Sequence, residues 1–99
     1  MGHIISGIKN HGTEHKVEVA YLNRSAFNPV CFAIYSALEA HDCNAFSCGN
    51  GTGRNFSKEK LLNALIYLGT EEMLEAERAF INDCLTNLDE NEEIYIEFF

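Results

Sequence analysis

Two runs near the start of the chain, Ile4–Lys9 and Lys16–Leu22, are rich in β-branched and aromatic residues, and Asn10-His-Gly-Thr13 between them has turn chemistry. The pattern predicts a β-hairpin. In its second strand Val17, Val19 and Tyr21 share one face, with Lys16, Glu18 and Ala20 on the other. The period then changes. Val30, Ile34, Ala37 and Leu38 recur at helical spacing and predict a helix running to about Ala40, capped by Asn28 with Pro29 in the first helical position. Phe32 and Ser36 fall on its far side, and no charge interrupts Ser25–Leu38.

Asn44-Ala-Phe-Ser-Cys48 predicts a short strand ahead of a glycine-rich segment. Ser57 then caps a helix over Lys58–Leu68, with Leu61, Leu62, Leu65 and Leu68 inward and Glu59, Lys60 and Asn63 outward; Gly69 closes it. Thr70 caps a third helix over Glu71–Leu88, whose inward positions are Leu74, Ile81, Leu85 and Leu88. Glu77 falls inside that apolar arc, where a carboxylate needs a cation, a proton or a place at the margin, and a structural ion pair or a position at the helix margin is expected. The alternation of Glu93-Ile-Tyr-Ile-Glu-Phe-Phe99 predicts a last strand. The order β-β-α-β-α-α-β reads as a single α+β domain over residues 1–99: a mainly antiparallel sheet of about four strands with helices largely on one face.

With 99 residues, 46% hydrophobic and a single proline, the chain can bury a core without a metal or disulfide. The opening Met1-Gly-His-Ile-Ile-Ser has neither the basic nor the apolar region of a secretory signal. The 14 uncharged residues Ser25–Leu38, broken by Asn28 and Pro29, are too few and too polar to span a bilayer. Cys31, Cys43, Cys48 and Cys84 then read as reduced thiols, and a cytoplasmic location without membrane partners is expected. His41, Cys43 and Cys48 lack the paired Cys-x-x-Cys spacing of zinc sites, so no metal or other cofactor is expected.

Charge divides the chain unevenly. Residues 1–60 carry six Lys/Arg and five Asp/Glu; residues 61–99 carry Arg78 against ten Asp/Glu, and the total is −8. Such a segment repels phosphate backbones, which excludes direct nucleic-acid binding, and attracts basic surfaces. Glu71, Glu72, Glu75 and Asp83 fall on the polar side of the third helix, and Asp89, Glu90, Glu92 and Glu93 continue the charge into the loop beyond. Together they form a candidate docking surface for a basic protein, such as a nucleic-acid-binding enzyme or a toxin. Small acidic inhibitors, nucleic-acid mimics and toxin-neutralising proteins are similar in composition. The uncharged helix around Phe32 suits a homodimer contact.

A second candidate is Cys48-Gly49-Asn50-Gly51-Thr52-Gly53-Arg54, between an expected strand and an expected helix. Glycines there let backbone N–H groups converge on an anion, and Arg54 supplies a bidentate cation. The pattern C-x-x-G-x-G-R resembles the phosphate-binding loop of protein tyrosine phosphatases. That resemblance implies Cys48 as nucleophile and Arg54 as phosphoryl holder, with Asp42 standing in for the general acid. Ser47 stands where that family has histidine, Asn55 where it has serine or threonine, and the chain has no tryptophan. The expectation from the residues is a non-enzymatic inhibitor or neutraliser acting through its carboxylates, with no catalytic residue assigned. The alternative is a phosphate- or nucleotide-binding protein centred on Cys48, Gly49, Gly51, Gly53 and Arg54.

Overall fold

The computed structural model describes residues 2–99. Strands β1 (Gly2–Lys9), β2 (Val17–Ser25), β3 (Thr52–Ser57) and β4 (Glu93–Phe98) form one antiparallel sheet in the order β2-β1-β4-β3. Helices α1 (Ala33–Ala37), α2 (Lys58–Leu68) and α3 (Glu75–Thr86) complete the order β-β-α-β-α-α-β, the α+β arrangement that the hydrophobic pattern predicts. Register assigns the faces. Ile5, Leu22, Phe56, Ile94, Ile96 and Phe98 point to one side and are buried with Ile34, Leu61, Phe80 and Ile81 of the helices. Tyr21, Asn23 and Asn55 lie on the other side and are exposed.

The first hairpin forms as its turn chemistry dictates. Asn10 takes the left-handed region at φ 59°, which asparagine tolerates, and its carbonyl accepts the Thr13 hydroxyl at 2.7 Å. One detail differs from expectation. Gly7 pairs with Ala20 but Ile8 pairs with Glu18, so Val19 is an extra residue in a β-bulge. The bulge reverses alternation, and Val17 and Tyr21 end on opposite faces rather than sharing one.

Three other elements depart from the expected boundaries. The first helix is α-helical only over Ala33–Ala37. Asn28 does receive the Val30 N–H at 2.9 Å, but the N–H groups of Cys31 and Ala33 bond three residues back, which winds Asn28–Phe32 into turns. The strand expected at Asn44–Cys48 is a single bridge, Asn44 to Gly49, because Phe46 turns the chain at φ 72°; Thr52–Ser57 pairs with β4 instead. The third helix is preceded by a 3₁₀ turn over Glu72–Leu74, so Thr70 does not cap it. In α2 the boundaries and the Ser57 cap are as expected, yet Leu62 is exposed and Ala64 occupies the core, since the buried arc centres on Leu61, Ala64 and Leu68.

α3 is fixed to the sheet at three points. Beneath its middle, the small pair Gly7 and Ala20 makes a floor: a Cβ on Gly7 would stand 2.8 Å from Cys84 Sγ. At its start Arg24 reaches up from β2 to Glu77. At its end Lys9 Nζ donates to the Asn87 carbonyl at 2.8 Å, a cation on the negative helix terminus. Among the described residues no helix is long and apolar enough to cross a membrane.

Candidate functional site

Glu77 is fully buried and held by two bonds, Arg24 Nε to Oε2 at 2.7 Å and an Arg24 terminal nitrogen to Oε1 at 2.6 Å. The same guanidinium donates to the Met73 carbonyl at 3.2 Å. These bonds to Glu77 raise the Arg24 pKa above its ordinary value. Of the two expectations for Glu77, an ion pair or a place at the helix margin, the ion pair is the one present, and it neutralises the one C-terminal carboxylate that faces the core.

The remaining carboxylates are left to solvent. Among the described residues the ion pairs are Arg24–Glu77 and Arg54–Asp42, so nine of the ten acidic residues of 61–99 have no lysine or arginine at ion-pair distance. Glu71, Glu72, Glu75, Asp83, Asp89, Glu90 and Glu93 are exposed, while Glu92 is half-buried and accepts the Asp89 N–H at 2.7 Å. Glu92 thus closes its own loop. The charges form two groups rather than one strip. Glu75 and Asp83 lie on α3 with the small, exposed Ala76 and Ala79 between them, and Glu72 of the preceding 3₁₀ turn stands at the start of the helix. Glu18 of the edge strand β2 borders the same hollow as Asp83, and adds a carboxylate that the sequence reading leaves out. Glu90, Glu92 and Glu93 instead line a hollow with Lys58, Glu59 and Leu62 at the start of α2.

The glycine segment has a different task from the one its pattern suggests. Its N–H groups are already spent: Gly49 to the Phe99 carbonyl at 2.6 Å, Asn50 to Cys43 at 3.0 Å, Gly51 to Phe98 at 2.8 Å, and Thr52 to the Asn50 side chain at 3.1 Å. A Cβ on Gly49 would overlap the Phe98 carbonyl, and one on Gly53 would stand 2.5 Å from the Ile96 oxygen. Those glycines let the segment lie against β4. The helix expected after the glycines starts at Lys58, and β3, which already contains Gly53, runs between the segment and that helix. Arg54 is bound to Asp42 and to Cys43 Sγ, the latter at 3.4 Å, and Cys48 is not among its partners. The bond to Asp42 raises the Arg54 pKa. Cys48 and Arg54 are therefore not assembled as nucleophile and phosphoryl holder, and Asp42 is an ion-pair partner rather than a free acid.

Behind that segment is a buried polar pair. His3 Nδ1 lies 2.8 Å from the Tyr35 hydroxyl, and His3 Nε2 is buried without a partner among the described residues. Burial lowers the His3 pKa. Burial and the nearby thiols of Cys48, Cys31 and Cys43 push Tyr35 up to about 12. The His3 ring also meets Phe32 edge-on, centroids 5.3 Å apart. Phe32, Phe27 and Phe46 open outward from this point, and their exposure has no counterpart in the sequence reading beyond Phe32 itself. The only available signal was context: Phe27 and Phe46 each stand alone among turn-forming residues. All four cysteines are free, and among the described residues no three His, Cys, Asp or Glu side chains gather at metal-binding distance. No protein-family model, curated protein or solved structure matches the chain.

Proposed function

We propose that this chain is a small non-enzymatic docking protein that lays the acidic ridge of α3 against a basic surface of a partner protein, as an inhibitor or neutraliser. The observation that carries the reading is that nine carboxylates of residues 61–99 have no ion-pair partner among the described residues, with Glu75 and Asp83 on a helix tethered from below by Arg24 and Lys9 and most of the others at or beyond its two ends. A helix held in this way presents its charges without an ordering cost at binding. The partner is of the basic kind, a nucleic-acid-binding enzyme or a toxin, and free thiols suit a cytoplasmic setting. Glu72, Glu75, Asp83 and Glu18 form the main contact, and Asp89, Glu90 and Glu93 extend the field around it. Attraction of this type accelerates association by roughly 10- to 1,000-fold and weakens as salt rises.

The test begins with capture from the native host by the wild-type chain and by a Glu72→Lys, Glu75→Lys, Asp83→Lys variant. The captured protein is then purified and its association rate with each form measured across salt concentrations. Exposed positions predict a stability change within about 0.5 kcal/mol for each reversal. The expected result is a basic partner whose association with the wild type slows with salt and is lost with the variant. A partner that binds both forms alike at low and high salt removes the acidic ridge from the function.

A further inference from the structure

Phe27, Phe32 and Phe46 line one cavity of about 440 Å³ with Ala26 and Ser47. Phe27 is 93% exposed, Phe46 90% and Phe32 45%. Phe46 sits at the tip of a short hairpin closed by the Asn44–Gly49 bridge and by Ala45 N–H on the Cys48 carbonyl at 2.8 Å. The Ser47 N–H bonds back to Ala45 at 2.9 Å around a Phe46 φ of 72°, a positive-φ γ-turn that is rare and strained for a bulky residue. Within one copy, the strain presents an aromatic ring to water and nothing else. The ring has a use only if something covers it.

We propose that this face joins two copies of the chain, with the Phe46 ring of each seated in the other's cleft between Phe27 and Phe32. Charge selects the occupant. Ser25–Leu38 and Cys43–Gly53, which build the face, contain no charged residue, and the flanking Asp42 and Arg54 neutralise each other. Two chains of net charge −8 repel over most of their surfaces but can meet here, whereas a basic partner finds no carboxylate. Area agrees. At about 200 Å² for a fully exposed ring, the three phenylalanines present roughly 450 Å² per copy. Two copies would cover roughly 900 Å² from the rings alone, and the adjoining backbone brings the contact near the ~1,200 Å² lower bound of stable interfaces. A two-fold axis satisfies both clefts at once.

Sedimentation equilibrium of the full chain over a wide concentration range tests this, with Phe46→Gly and Phe27→Asp beside the wild type. The wild type is expected to reach a dimer. Phe46→Gly should raise the dimer dissociation constant by about 100-fold or more, as a central aromatic anchor does. Its monomer should melt no lower than the wild-type monomer, because glycine accepts the positive φ. Phe27→Asp should abolish the dimer by placing a carboxylate inside the contact. A wild type that stays monomeric at the highest concentration overturns the proposal, and so does a dimer that persists undiminished in either variant.

Discussion

Replacing Arg24 by methionine would strand the Glu77 carboxylate in the core. Glu77 has no exposure and takes both its charged hydrogen bonds from Arg24, whereas the Arg24 side chain is 19% exposed. The two ends of the pair are therefore unequal. Among the described residues Arg24 is the cation at ion-pair distance from Glu77, and loss of one partner from a buried pair costs about 3–5 kcal/mol. In a domain of this size that lowers the melting temperature by on the order of 15 °C or more. Glu77→Gln leaves a neutral acceptor in place and a guanidinium that can turn to water, so its cost is smaller, about 1–3 kcal/mol. Arg24→Met with Glu77→Leu removes both charges and should return to within about 1–2 kcal/mol of the wild type. Urea unfolding followed by circular dichroism, with the four proteins in one buffer, measures all three differences. If Arg24→Met costs no more than Glu77→Gln, or if the double variant loses as much as Arg24→Met alone, desolvation of Glu77 is not what makes the pair matter.

Three further outcomes are expected. Leu61→Ala should cost about 2–5 kcal/mol in urea unfolding because the side chain is fully buried, while its neighbour Leu62→Ala should stay within about 0.5 kcal/mol; equal losses would mean that α2 is rotated from the orientation described. Burial lowers His3, so the unfolded chain binds its proton more readily, and stability is whole above the ordinary value of 6.5 and lost as pH falls through and below it. One proton limits that slope to about 1.4 kcal/mol per pH unit, and His3→Gln should flatten it when unfolding is compared at neutral and mildly acidic pH; an unchanged slope would clear His3 of the effect. Burial, with a contribution from Asp83, pushes the Cys84 thiol up to about 12, so iodoacetamide should modify half-buried Cys48 first and spare Cys84 until the protein unfolds; labelling of Cys84 at the rate of Cys48 in the folded chain would contradict its placement on the buried face of α3.

Much of the fold was legible from local chemistry. The Ser57 cap, the Lys58–Leu68 helix and the alternation of β4 need only neighbours in the chain, and all three stand where the pattern predicts them. Glu77 was recognisable as a residue needing a cation, a proton or a place at the helix margin, since helical spacing puts it among apolar positions. Its partner was not, because Arg24 lies 53 residues earlier and reaches it only after β2 and α3 are packed. The period-two pattern does carry a trace of this: Arg24 shares the face of Leu22 and Ala20 in β2. The glycine segment misled for a related reason. Glycine allows both a nest of N–H groups and a close approach to another strand, and the C-terminal strand that takes up the second option is distant in sequence.

Residue order alone thus determined the succession of helices and strands, the extent of α2, and that most negative charge falls in the last third of the chain. These follow from periodicity, caps and composition, all of which act over a few residues. Only the folded arrangement decided that β3 begins at Thr52, that Arg54 answers Asp42 instead of an anion, and that Glu18 joins the α3 ridge while three phenylalanines stay outside the core. Each of those outcomes is a choice among partners of comparable local merit, and the choice is made by burial and hydrogen bonding between residues brought together from far along the chain.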